Sequence, residues 1–414
     1  MQKTVLKNYA KLLAKTGLNV QKGQDVIITA DISQEEFVLL AAEECYRAGA
    51  RRVFPDWTYQ SLTRLQAERR SLQQLSRVTP WEEESLKWQA KTLPAHLYIM
   101  SEDPDGLRGI DAEKYADAMR ARSKIVKPYR DERENKDQWC IASAAGEAWA
   151  KKVFPKEKSA AAAVERLWRA IIAASRADGN PMANWAAHNK DLSARCDFLN
   201  GLGLSSLEYE SGNGTNFRVG LMKEGVFAGG EEKTLSGIPF NPNIPSEEVY
   251  TTPKRGEAEG IVYSSKPLSY QGQIIRNFSI RFENGKAVEA HASQGEAVLK
   301  KMLASDEGAA YLGECALVPY DSPISLSKAL FYNTLFDENA ACHLALGRGF
   351  DNCVRDYEKY SDEERKSLGV NDSSIHVDFM IGTDDLNITG VTDTGARIPI
   401  FREGNWAFET DSDR

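Results

Sequence analysis

The sequence predicts a mixed α/β chain of two domains, an N-terminal α/β domain with a parallel sheet and a C-terminal α+β domain. Three observations predict it. At 414 residues the chain is longer than one ordinary core encloses. Its opening quarter alternates β-branched runs with segments of helical period. Its second half is richer in strands and contains an Asn-Gly hairpin signal.

Taken in order, Leu6, Tyr9, Leu12 and Leu13 recur at helical spacing, and Asp25-Val-Ile-Ile-Thr29 follows as a buried strand. Ser33 and Glu36 have the spacing of a capping box ahead of Phe37, Val38, Leu40 and Ala41, with Gly49 just past the helix. Arg51-Arg-Val-Phe54 and His96-Leu-Tyr-Ile-Met100 read as the next strands. Strands separated by helices join in parallel, because a parallel crossover needs a long connection. A helix from Ser159 to Arg176 follows, where alanines carry the propensity and Val164, Leu167, Ile171 and Ile172 make an apolar stripe. Asp178-Gly-Asn-Pro181 ends it, and a further helix covers Met182 to Leu199. Gly201 and Gly203 place the domain boundary near 195–205, giving domains 1–200 and 201–414. In the second half, Asn284-Gly285 joins two alternating runs, Ile274 to Phe282 and Lys286 to Ala292, into a hairpin, and Gln294 to Ala304 returns to helix.

Composition narrows the function classes. Hydrophobic residues make up 42% and charged residues 27%, values of a globular chain. A net charge of −8 argues against a nucleic-acid partner, whose phosphates are met by clustered Lys and Arg. No apolar run approaches the ~20 residues that span a bilayer. The N-terminus, MQKTVLKNYAKLL, starts an amphipathic helix and lacks the apolar core of a signal peptide. The six cysteines show no C-x-x-C pair and fit reduced thiols in a cytoplasm.

Glycine-rich phosphate loops, the G-x-S-x-G elbow, H-E-x-x-H and H-x-x-E-H are all absent from the sequence. Any chemistry must therefore come from dispersed residues. The chain has five histidines, His96, His188, His291, His343 and His376. His376 and Asp378 lie two apart in a β-type run, so imidazole and carboxylate project from one face. Read alone, the pair suits a surface strand as well as a metal ion. His343 falls in Asp337-Glu-Asn-Ala-Ala-Cys-His-Leu-Ala-Leu-Gly347, read as a small-residue helix ending at Gly347. A histidine there fits a core hydrogen bond as well as a ligand. Glu314, in Leu312-Gly-Glu-Cys-Ala-Leu-Val-Pro319, is a carboxylate in an apolar run, costly to bury unless paired or bound to metal. Glu247-Glu248, after a proline-rich loop, also fits a simple helix or turn start.

Four stretches, Asn243 to Thr251, Leu312 to Pro319, Leu335 to His343 and His376 to Gly382, together resemble the M29 family of metallo-aminopeptidases, and the likeness extends over nearly the whole chain. The resemblance implies metal ligands Glu248, Glu314, His343, His376 and Asp378 in the C-terminal domain. It implies two divalent cations, Zn²⁺, Co²⁺, Mn²⁺ or Mg²⁺, activating a water against the first peptide bond of short peptides with a free α-amine. It also implies a homodimer. One departure stands out: the family tyrosine seven residues past the histidine corresponds to Phe350, which carries no hydroxyl, and Tyr357 is the expected substitute. Two other readings remain open. One is a non-haem iron dioxygenase cleaving a pyridinediol ring, using two histidines and a carboxylate. The other is a catalytically silent homologue that keeps its metals.

Overall fold

The computed structural model describes residues 1–270 and 273–410. The chain forms two compact units, Met1–Ala186 with Glu231–Pro245, and Ala187–Gly230 with Ser246–Arg414. This division differs from a cut after residue 200. The helix Pro181–Gly201 runs unbroken through the point where the units change. Gly201 and Gly203 mark the end of that helix, and a later segment returns to the first unit.

In the first unit, β1 (Asp25–Asp31), β2 (Arg52–Thr58), β3 (Ala95–Met100) and β4 (Trp139–Ser143) form a parallel sheet in the order β2-β1-β3-β4. The uninterrupted apolar runs belong to the central strands β1 and β3, and the mostly exposed β2 lies at an edge. Helix Lys3–Leu12 buries Tyr9 and Leu12, and Tyr9 stacks on Phe37 of helix Glu35–Ala48 at 5.5 Å. That second helix ends at Gly49, whose φ of 115° only glycine adopts easily. The Ser33–Glu36 capping box does not form. Ser33 lies inside a single 3₁₀ turn, Ile32–Gln34, and the Asp31 carboxylate takes the capping role by accepting from the Ser33 amide. Ser159 caps helix Ala160–Ala174 as expected, accepting from the Ala162 amide.

The first strands of the second unit are β5 (Leu204–Glu210) and β6 (Asn216–Leu221). The returning segment of the first unit holds the short paired strands β7 (Glu232–Lys233) and β8 (Pro239–Phe240). Then come β9 (Val249–Thr251), β10 (Pro253–Tyr263), β11 (Leu268–Tyr270), β12 (Gln273–Glu283) and β13 (Lys286–Gln294). After these come β14 (Leu312–Leu317), β15 (His343–Gly347), β16 (His376–Met380), β17 (Asn387–Thr392), β18 (Arg397–Arg402) and β19 (Asn405–Trp406). A nine-stranded antiparallel sheet runs β11-β12-β10-β6-β5-β17-β18-β19, with β13 paired to β12. The β12–β13 hairpin turns at Asn284 and Gly285, with φ of 50° and 79°, the positive values a tight two-residue turn requires. Helix Glu296–Leu303 follows it.

A smaller antiparallel sheet, β16-β15-β14-β9, carries the residues of interest. Here one expectation is corrected: His343–Gly347 is a strand, not a helix. The segment pairs on both sides, with β14 and with β16, and every residue in it is buried. Ladder bonds and burial on two faces outweigh the helical preference of Ala and Leu. The helical character is confined to two single turns ahead of it, Thr334–Asp337 and Glu338–Ala340. Among the described residues no helix is long and apolar enough to cross a membrane.

Candidate metal centre

The alternation of these four strands sorts their side chains. Cys315, Leu317, Leu344, Leu346, Phe379 and Val249 join the hydrophobic core of the second unit. Residues paired directly across strands share a face, as do residues two apart along one. Glu314 pairs with Ala345 and Ala345 with Asp378; Tyr250 and His343 both pair with Ala316; Gly347 pairs with His376. One face therefore carries Tyr250, Glu314, His343, His376 and Asp378 over a floor of Ala316, Ala345 and Gly347. Glu248, two residues before Tyr250, continues that face. Gly347 has φ of 104°, and a Cβ there would stand 2.1 Å from the Ile375 carbonyl oxygen. Gly313, the extra residue of a bulge beside Glu314, is packed equally closely on the Arg348 carbonyl.

The expected ligands converge. His343 Nε2 lies 3.3 Å from Glu248 Oε2 and 4.0 Å from Glu314 Oε1. His376 Nε2 lies 3.1 Å from Glu314 Oε2 and 3.2 Å from Asp378 Oδ1. Two donor triads result, Glu248–Glu314–His343 and Glu314–His376–Asp378, the donor atoms of each lying within 4.8 Å of one another. Glu314 belongs to both and turns one oxygen to each. All these residues lie in the second unit.

Both imidazoles are oriented by main chain. His343 Nδ1 is 3.2 Å from the Ala341 carbonyl oxygen, and His376 Nδ1 is 2.7 Å from that of Arg348. A carbonyl only accepts, so each Nδ1 carries its proton and each Nε2 faces the carboxylates, the tautomer a metal ligand needs.

The charges are those of a cation site. Burial, with Asp378 and Glu248 nearby, raises the Glu314 carboxyl to about 7 against the pull of His376 and His343. Burial would lower His343, yet its hydrogen bond to Glu248 and the charges of Glu314, Glu248 and Asp378 push it up to about 10. His376 is raised likewise: burial lowers it, and Asp378 and Glu314 more than offset that. Asp378 is held below the usual carboxylate range because His376 outweighs its burial. Buried carboxylates crowded around two imidazoles take up protons unless cations neutralise them, and mixed oxygen and nitrogen donors suit divalent ions. The residues present therefore fit a metal centre.

One member of the group is missing from the sequence reading. The Glu338 carboxyl is driven well above the usual range, first by burial and then by Asp378 and Glu248, with Glu314 also contributing. Its signal in the sequence is weak: Glu338 stands between Asp337 and Asn339 at the head of a segment of helical composition, where an acid is ordinary. Its neighbour Asp337 turns elsewhere and accepts from the Phe331 and Asn333 amides at 2.8 and 3.2 Å. Glu247 and Glu248 divide similarly: Glu247 Oε2 is 3.9 Å from His188 Nε2, and its amide donates to Asn339.

Phe350 lies beside the site, its ring 4.9 Å from that of His376 and 5.4 Å from that of Tyr250. Tyr357 sits instead in a satellite cluster with Met222, Val354 and Val370. The left-handed Asp356, with φ of 55°, leads into the 3₁₀ turn that carries it there.

Three carboxylates and two imidazoles, brought together by one face of an antiparallel sheet and the segment leading into it, form a donor set that suits the divalent-metal centre of a hydrolase. The profile of the thermophilic metalloprotease family M29 matches residues 2–406, and the chain belongs to that family. Aminopeptidase AmpS of Bacillus subtilis (strain 168) is 42% identical over 405 residues, 97% of this chain and 98% of the relative. Aminopeptidase 2 of Geobacillus stearothermophilus is 40% identical over 98% of both chains. The solved structure of wild-type AmpT from Thermus thermophilus superimposes with a TM-score of 0.90 at 37% identity, over 98% of this chain and 100% of that one. A 2,5-dihydroxypyridine dioxygenase from Pseudomonas putida KT2440 shares the fold alone, at a TM-score of 0.52 and 12% identity, over 99% of this chain and 98% of that one.

Proposed function

We infer that this chain is a metal-dependent aminopeptidase that hydrolyses the N-terminal bond of short peptides bearing a free α-amine, using two divalent cations held by Glu248, Glu314, His343, His376 and Asp378. The observation that carries the reading is Glu314, buried between two triads with one oxygen toward each. Zn²⁺, Co²⁺, Mn²⁺ and Mg²⁺ all accept such donors. When bound, the cations supply an activated water near neutral pH and polarise the scissile carbonyl.

The protein's own groups do the rest. The Ala341 and Arg348 carbonyls fix both imidazoles with Nε2 inward. The Glu338 carboxyl, raised by burial and by Asp378 and Glu248, would be ionised once cations offset those charges, and in that form it takes the proton from water and passes it to the leaving amine. The surplus of carboxylates attracts the substrate's terminal amine and disfavours its carboxylate end. A mononuclear ring-cleaving iron site needs two histidines and one carboxylate, fewer donors than converge here. The six cysteines are buried, which suits a reducing cytoplasm. Trp57, Tyr59, Leu62 and Leu65, exposed along the edge strand and the helix after it, support a second copy as partner.

The test incubates metal-depleted protein with leucyl-alanine and its N-acetyl form, adding each cation in turn. Cleavage of the free-amine peptide alone is the expected result. Oxygen uptake with a dihydroxypyridine and Fe²⁺, or metal uptake with no turnover, would overturn the reading. Glu338→Gln should retain metal and lose about 10²–10⁴-fold in kcat.

A further inference from the structure

The geometry points to Tyr250 as a catalytic residue that hydrogen-bonds the oxyanion of the tetrahedral intermediate, an inference that rests on the aminopeptidase reading. Tyr250 lies on the ligand-bearing face, directly across from Ala316, whose other partner is His343. The single methyl of Ala316 leaves space over which the phenol can lie. Its backbone is pinned in both directions, the Tyr250 amide donating to Ala228 and the Ala228 amide to Tyr250, at 2.8 and 2.9 Å. Its ring meets that of Phe350 edge-on, 5.4 Å away at 68°. Phe350 in turn packs 4.9 Å from His376. Tyr250, Phe350 and His376 therefore form a contiguous row of rings that ends on a ligand.

The chemistry of that face singles out this hydroxyl. Glu314, His343, His376 and Asp378 are assigned to the cations, and Ala316, Ala345, Gly347 and Met380 have no side-chain donor. Thr252, two residues on, engages its hydroxyl with the Phe350 main chain, donating to its carbonyl at 3.3 Å and accepting from its amide at 2.8 Å, which leaves the Tyr250 phenol as the neutral O–H that these strands bring to the site. Phe350 is beside it but has nothing to donate. In the hydrolysis the water oxygen bonds to the carbonyl carbon, and the carbonyl electron pair moves onto oxygen. As that pair returns, the C–N bond breaks with its electrons on nitrogen, which takes the proton Glu338 received from water. Tyr250 keeps its own proton throughout and donates only a hydrogen bond, strongest when the oxygen is negative.

Tyr250→Phe tests this, with kcat and KM measured on leucyl-alanine, metal content by mass spectrometry, and calorimetric binding of a phosphinic dipeptide analogue and of free leucine. The expected result is a fall in kcat and in phosphinate affinity of about 10²-fold each, with KM, leucine binding and metal content unchanged. The double variant Tyr250→Phe/Phe350→Tyr should recover much of the loss, because it returns a hydroxyl to the same ring pair. A wild-type protein that cleaves the peptide, with a Tyr250→Phe variant whose kcat and phosphinate affinity are unaltered, overturns the role of Tyr250 and leaves the aminopeptidase reading standing. Metal lost in step with activity likewise overturns it, in favour of a structural role. A wild-type protein that neither cleaves the peptide nor binds the phosphinate overturns both.

Discussion

Replacing Glu314 by Gln preserves shape, removes one buried negative charge, and should change stability in opposite directions with and without metal. Without metal, the Glu314 carboxyl titrates at about 7 against an ordinary 4.5. A carboxyl raised in the folded state contributes most below its unfolded pKa, and that contribution is lost as pH rises through the folded value. At about pH 8 the wild-type protein therefore carries an ionised group that the fold disfavours by about 3 kcal/mol. The amide escapes that penalty, so metal-free Glu314→Gln should melt roughly 5–10 °C above wild type. With metal the order reverses. Glu314 faces both triads, and a unit charge ~4 Å from another contributes about 4 kcal/mol at an effective dielectric near 20. Losing it should weaken cation binding by about 10³-fold, so that added metal stabilises wild type and leaves the variant nearly unmoved. Differential scanning fluorimetry with and without Zn²⁺ or Co²⁺ reads both signs. A metal-free variant melting at or below wild type, or a variant gaining as much from metal, would refute the reasoning.

Cation affinity should rise with pH between about 7 and about 10, because protons held by Glu314 and His343 must leave first; calorimetry in buffers of different ionisation enthalpy should detect their release. Gly347→Ala should destabilise by more than about 2 kcal/mol, since both its φ and the Ile375 carbonyl exclude a Cβ, and denaturant unfolding will measure it. Asp337→Ala removes the acceptor of the Phe331 and Asn333 amides, so it should cost about 1–3 kcal/mol per amide and lower Tm while metal content holds.

Much of this was legible in the residues. Period-two alternation around His376 and Asp378 set them on one face, and Glu314 announced itself as a carboxylate among apolar neighbours. The parallel sheet followed from strands spaced by helices. What was hidden depends on contacts remote in sequence. His343–Gly347 has a helical composition, and only the strands on either side of it make it extended. Glu338 and Asp337 are adjacent acids whose division of labour is decided by two turns of chain. Residues 231–245 carry no mark that they belong with the first unit.

The two imidazoles take their aim from peptide oxygens at positions 341 and 348, and a peptide oxygen is present whatever side chain occupies the position. Buried Ala341 accommodates few substitutions, but any that the packing accepts at 341 or 348 leaves the acceptor in place, and with it the aim of the ligands. It can be lost only by shifting the backbone itself. Residue identities at these positions therefore report the packing around them and not the acceptor they supply.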